Sequence, residues 1–508
     1  MSRKVGVILS YAMMILEVLS TLLLTPFLIR TFGQAEYGVY KLSIAITTYL
    51  LLFDLGIGNA LIKFTSKYRI KGDKQSENQF IGLSSLFYFI VGSLAIVASI
   101  IIIILFPYIF SKGLTSEEIS LGQRLVLISG INAALTMATA PFSNMLIAYE
   151  KFAVSRIASI VQISLRIGIS FIVLNLGFKS VGITIVNLVL TVLCRSFFVL
   201  YSFFALKTRP TLKGITKPFV KEIVGYSSLI LLQMIAFQIN IFAGQILLGV
   251  LVVGASTIIA IYSVGTQIIQ YYQSIGTAFT DIMMPGVVKM IETNDSSDAI
   301  LEEMVRVGRF ILMVLGIVLV IFAIYGNQFI TLWAGEENRD AYYVSIILMP
   351  AYLLILIQSI GNQILWAKNM HKEQSIIKLC IVLLSIGTTI ALIYWKPLIG
   401  ATIGTLIALV LGDIILSNII FKTKLKVRIG KLFWGYFKGI VPCLLISGAA
   451  GYGFSFLKLE GWGGLLLNIV FTLFVYMVLM AIFGLNKYEK SFFKTTIKNI
   501  FTRKKATK

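Results

Sequence analysis

The stretch FIGLSSLFYFIVGSLAIVASIIIIILF, residues 80–106, holds no charged side chain. As an α-helix it would rise about 40 Å, more than the ~30 Å of hydrocarbon in a bilayer. Lipid offers no partner to backbone N–H and C=O groups, so a helix is the form such a run must take. Working outward in both directions, similar runs recur near 7–29, 38–58, 120–147, 157–176, 181–206, 223–249, 255–279, 307–331, 341–365, 376–395, 398–421, 436–457 and 463–484. The 508-residue chain is 58% hydrophobic and 13% charged, against about 25% charged in soluble domains. A water-soluble globule is excluded. The expectation is an all-α polytopic membrane protein with about fourteen transmembrane helices.

Lys and Arg number 44 against 22 Asp and Glu, a net charge of +22. Basic residues collect on the side of the membrane where the chain is made. With the N-terminus inside, only Arg30, Lys41, Lys112, Arg124, Lys179, Arg339, Lys396 and Lys458 fall on outer ends and loops. Arg166, Arg195 and Lys438 fall within spans, and the remainder lie on inner segments. This alternation places both termini in the cytoplasm and the protein in the cytoplasmic membrane. It explains the charge without nucleic acid. The start is a retained first span, since Glu17 interrupts it and no A-x-A cleavage site follows. Cys194, Cys380 and Cys443 have unrelated spacings and form neither a disulfide framework nor a metal set. In the tail, 485–508, apolar residues recur at helical spacing among lysines. That pattern suits a basic helix lying on anionic membrane lipids; a solvated tail is the plainer alternative.

The two halves echo each other. FGQAEYGVYKLSIAI (32–46) and VGASTIIAIYSVGTQI (253–268) each place a Gly seven or eight residues before a Tyr. NMLIAYEK (144–151) and NQILWAKN (362–369) recur at the exits of the fourth and tenth spans. An offset of six spans gives parallel repeats. The expected division is a six-helix lobe at 1–206, a second at 223–421, two added helices at 436–484 and the tail.

The first of these stretches, followed by LLFDLGIGNALIKFTSKY (51–68), resembles the N-terminal signature of the polysaccharide flippases. These belong to the superfamily that also contains the MATE exporters and the lipid II flippases. The resemblance implies two MATE-like lobes around a cavity, alternating access, and movement of undecaprenyl-pyrophosphate-linked oligosaccharide to the outer leaflet. It also implies other polysaccharide-assembly membrane proteins as partners.

A charge at the bilayer centre costs about 2.5–3.5 kcal/mol on insertion scales, so charges there face a cavity or a partner. Arginine's planar fork suits a pyrophosphate. Arg166 and Arg195 are therefore the candidate headgroup contacts, with Arg30 and Arg124 nearer the outer exit; an ion pair between Glu17 and one arginine is the alternative. Glu17 and Asp54 are candidates for proton or sodium coupling, ahead of Asp281 and Asp413. The second half is neutral but polar. Gln267, Gln270 and Tyr271 share one helix face, as do Gln238 and Gln245, and Gln358 and Asn362; they are candidates for glycan contact, or for bonds between helices. Pro26 and Pro141 are candidate kinks, and Gly400 and Gly404 a close-packing pair.

The chain carries no G-x-x-x-x-G-K-[ST] loop, so no cofactor is expected. A membrane glycan polymerase or ligase would need an activated base and a large outer loop; the one histidine, His371, falls in an inner loop. A lipid II flippase and a MATE-type drug exporter remain as alternatives. The intramembrane arginines disfavour the exporter.

Overall fold

The computed structural model describes residues 3–50, 57–212, 242–293, 296–368, 372–491 and 494–495. Among them the regular structure is helical, with no strand. The first half gives α1 (Arg3–Phe32), α2 (Gln34–Leu50), α3 (Ile57–Lys71), α4 (Lys74–Ile109), α5 (Ser116–Ala138), α6 (Ala140–Ala148), α7 (Phe152–Asn175) and α8 (Ser180–Phe204). Then follow α9 (Phe242–Leu251), α10 (Ala255–Thr293), α11 (Ser297–Ala334), α12 (Ala341–Ile357), α13 (Ser359–Ala367), α14 (Lys372–Ile393) and α15 (Pro397–Ala408). A π-helical segment, Leu409–Ile415, leads into α16 (Leu416–Thr423). The last helices are α17 (Ile429–Phe437), α18 (Ile440–Ser455) and α19 (Gly461–Leu479).

Eight helices are long and apolar enough to cross a bilayer, or up to ten if each of two bent pairs is one span. The described residues thus fall short of the expected fourteen. Most of the run expected at 223–249, with Gln238, lies outside them, as does Asp54 in the second run. The bends have local causes. Pro141 is the second residue of α6, which follows α5 across the single cap residue Thr139; its ring removes a backbone donor and crowds the preceding turn. Pro26, by contrast, sits inside an unbroken α1. α12 and α13 meet at 47°, and α17 and α18 at 42°. At the second break Lys438 caps α17, where Gly439 turns the chain at φ +80°.

The echoes between the halves have a structural meaning. Gly33 and Gly254 both adopt positive φ, at +81° and +63°, immediately before α2 and α10. Side chains with a Cβ resist that conformation, so each Gly reverses the chain and starts a helix. The second echo falls in α6 and α13, each a nine-residue helix after a break.

Contacts divide the chain into two compact units, Met1–Val264 with Ser375–Ala408 and Gly265–Gln374 with Leu409–Lys508. In the first, α4 packs along α5, α1 along α7, and α2 and α8 against α5. Gly122 faces the Phe106 ring and Gly130 faces Ser99, with no room for a Cβ at either. Small residues let membrane helices approach this way. Outward, Phe89, Ile104 and Leu193 are more than 60% exposed, as a lipid-facing surface requires.

Two clusters tie the ends of this unit. Glu36 at the start of α2 accepts from Ser180 N and Oγ at 3.1 and 2.6 Å, with Lys179 Nζ at 3.4 Å. Buried Glu77, in the first turn of α4, accepts from the Tyr149 hydroxyl and pairs with Lys74 at 2.9 Å. Burial first, then the bond to Glu77 and its charge, raise the Tyr149 phenol above its usual range. In the second unit α11 packs against α12, α17, α18 and α19. Its Arg309 is buried and bonded to Glu489 of the tail at 2.6 and 3.0 Å.

Candidate functional site

Five helices of the first unit surround a cavity of about 590 Å³. α1 supplies Met13 and Glu17; α2 supplies Tyr40, Ile44, Thr47 and Thr48; α5 supplies Ser129, Asn132, Ala133 and Thr136. α7 adds Ser159, Gln162, Ile163 and Arg166, and α8 adds Thr184, Asn187, Leu190 and Thr191. The α7 positions are spaced i, i+3, i+4, i+7, so one helix face lines the space.

Inside it, Arg166 Nη2 donates to Glu17 Oε1 at 2.7 Å. The two side chains are 29% and 49% exposed, so the pair borders open space rather than sealed protein. A pair so exposed adds about 0–1 kcal/mol to stability, and a guanidinium has five N–H donors in all. The hydroxyls of Thr47, Ser159 and Thr184 donate back to carbonyls three or four residues earlier on their own helices. Their oxygen lone pairs therefore remain for an incoming donor. Asn132 Oδ1 is buried without a hydrogen-bond partner. The walls thus offer both donors and acceptors around one cation and one carboxylate.

The other expected site residues are scattered. Arg195 does not line this cavity; its Nη1 donates to Ser143 Oγ at 3.1 Å and its guanidinium lies 5.9 Å from the Phe198 ring. Arg30 is exposed at the end of α1. Arg124 is exposed on α5, with Nε 3.4 Å from Ser120 O. In the second unit Gln267 is buried and donates to Tyr271 Oη at 2.5 Å, while Gln270 is exposed. Gln358 sits at the α12–α13 break, 1% exposed, with neither amide atom bonded, and half-buried Asn362 follows on α13. Asp413 lies in the π-helical segment. Cys194, Cys380 and Cys443 are free thiols.

Sequence reasoning assigned hydroxyl and amide lining to the second half and overlooked it in the first. The signal was present: Ser159, Gln162 and Arg166 on one run, and Thr184, Asn187 and Thr191 on the next, repeat at helical spacing.

A polar chamber within a lipid-exposed helical bundle defines the class: a polytopic helical membrane protein. The fold agrees. The chain is similar to a structure titled lipid II flippase MurJ, inward closed conformation, with a TM-score of 0.70 and 18% identity over 94% of this chain and 98% of that one. It is also similar to an inward-facing multidrug resistance MATE family transporter of the MOP superfamily, with a TM-score of 0.62 and 14% identity over 82% and 99%. A MOP superfamily transporter from Pyrococcus furiosus, described as having a binding pocket of reverse polarity, gives a TM-score of 0.56 and 18% identity over 84% and 97%. No protein of curated function matches the sequence. Residues 4–291 match the family model described as polysaccharide biosynthesis protein, and the chain belongs to that family.

Proposed function

We propose that the protein flips undecaprenyl-pyrophosphate-linked oligosaccharide from the inner to the outer leaflet of the cytoplasmic membrane, with both termini in the cytoplasm. The observation that carries this reading is Arg166, partly exposed and paired with Glu17 in a chamber whose other polar groups are hydroxyls and amides. A pyrophosphate can replace Glu17 as the partner of the guanidinium, because a doubly charged, bidentate acceptor competes well with one carboxylate. Hydroxyl oxygens and amides around it then take the sugar hydroxyls. Protonation of Glu17 would likewise release Arg166, which makes the pair a candidate for coupling transport to protons.

The test is flipping of a fluorescent lipid-linked oligosaccharide in proteoliposomes. Charge-assisted hydrogen bonds contribute about 1.5–3 kcal/mol, so Arg166→Ala should slow flipping roughly 10- to 100-fold while the variant inserts and folds normally. Wild-type rates in Arg166→Ala would overturn the headgroup role. Arg195→Ala, at a residue bonded to Ser143 outside the chamber, separates a second headgroup contact from a helix-to-helix bond. Lipid II is the second reading, favoured by the likeness to MurJ. Analysis of the lipid-linked sugars that accumulate when the protein is deleted distinguishes the two.

A further inference from the structure

A second cavity, of about 560 Å³, runs between α7 and α8. Its α7 wall is Val154, Ile157, Ala158, Val161 and Leu165, and its α8 wall is Leu193, Cys194, Phe197 and Tyr201, joined by Gln162 and Leu190. The α7 positions are again spaced by three and four. Here they mark the face of the helix beside the one that carries Ser159, Ile163 and Arg166. Gln162 and Leu190 line both cavities. α7 and α8 therefore form a wall between a polar chamber and an apolar groove that meet at those two residues. Ile157, Val161, Leu165, Leu193 and Phe197 are each more than 40% exposed, so the groove opens toward lipid.

A surface with a cationic chamber on one side and a hydrocarbon channel on the other, joined midway along two helices, fits one kind of molecule: an amphiphile whose anionic end and hydrocarbon chain are covalently linked. We infer that the α7–α8 groove holds the isoprenoid chain of the transported lipid pyrophosphate while its headgroup occupies the chamber at Arg166. The inference rests on the flippase reading and adds to it a tail site. The groove runs from the end of the helices that carries Val154 and Tyr201, the cytoplasmic end in the orientation proposed above, to the junction at Gln162. A lipid of the inner leaflet can enter along it without lifting its chain from hydrocarbon. Burying the chain's CH₂ groups is favourable relative to water; relative to lipid the gain is small, so the groove orients the chain rather than providing the affinity.

The experiment uses full-length protein in phosphatidylethanolamine–phosphatidylglycerol vesicles and undecaprenyl pyrophosphate carrying a diazirine in its isoprenoid chain. Photolabelling should map to residues 154–165 and 190–201. Excess unlabelled undecaprenyl pyrophosphate should remove it, and excess phosphatidylglycerol should not. Ala158→Trp, whose indole occupies the groove, should remove most of the labelling at residues 154–165 and 190–201 by excluding the chain sterically. Val161→Phe serves the same purpose should Ala158→Trp fail to fold. Competable labelling confined to other helices would overturn the tail site and leave the flippase reading standing. Groove labelling that phosphatidylglycerol displaces equally would make the groove an ordinary lipid contact, which also overturns it. No competable labelling anywhere would overturn both.

Discussion

Arg309→Ala should be among the most damaging single changes in the second unit. Arg309 is buried in α11 and donates five hydrogen bonds: two to the Glu489 carboxylate, and one each to Gly435 O at 3.1 Å, Lys438 O at 2.7 Å and Gly484 O at 3.0 Å. Gly435 and Lys438 stand at the C-terminal end of α17, and Gly484 closes the π-helical end of α19. Those carbonyls lack intrahelical partners, and a cation satisfies them. Removing the guanidinium leaves three such oxygens and a buried carboxylate, 2% exposed at the side chain. That carboxylate would keep only the Asn486 N–H, at 2.8 Å. Breaking a buried pair by removing one partner costs about 3–5 kcal/mol, because an uncompensated charge stays behind. Equilibrium unfolding of the purified protein in mixed micelles, followed by tryptophan fluorescence, measures the loss. Arg309→Met combined with Glu489→Gln should lose less than Arg309→Ala alone, since no buried charge is then left without its partner. A loss under about 1 kcal/mol in Arg309→Ala, or a double variant weaker than the single, would refute the reasoning.

Thr115 and Glu118 form a reciprocal capping box at the start of α5, so Thr115→Ala should lower stability by about 1 kcal/mol, read as a shift in Tm. Gly404→Val would drive its side chain into Thr389, and overpacking of this kind costs about 1–3 kcal/mol; wild-type Tm in that variant would contradict the α14–α15 contact. Hydrogen bonds from Ser76 hold the Asp73 carboxyl below its usual range. Its cap on α4 is therefore fully present above the ordinary aspartate range and is lost as pH falls through the depressed value. Amide exchange in the first turn of α4 should accelerate at acid pH in the wild type and lose that dependence in Asp73→Asn.

The helical membrane-spanning class was legible because hydrocarbon imposes one rule on every helix that crosses it, and the run at 80–106 emerges inside α4. The glycines of the internal echo were legible as well, since a chain reversal before α2 and α10 demands positive φ and leaves Gly as a fingerprint. Partnership was harder to read. Glu17 and Arg166 are 149 positions apart, and their pairing was open as one of two alternatives. Arg309 and Glu489, 180 apart, gave no signal, because a buried pair and two exposed charges look alike in a sequence. Arg195 illustrates the same limit: its place within a helical run could be read, but the direction of its side chain toward Ser143 on α6 depends on how α6 follows its break. The chamber's polar lining was missed for a different reason. Threonines and serines are ordinary in membrane helices, and only the gathering of five helices makes them a surface.

The two faces of α7 have a genetic consequence. Successive residues of an α-helix are set about 100° apart, so a single-codon deletion near the middle of this helix would rotate every later residue by that angle. Arg166 would swing away from Glu17 and the apolar positions would no longer align. Point substitutions that keep size and polarity on each stripe should be tolerated, whereas in-frame loss or gain of one amino acid should inactivate the protein, and a compensating change of the opposite sign a few codons downstream should restore it.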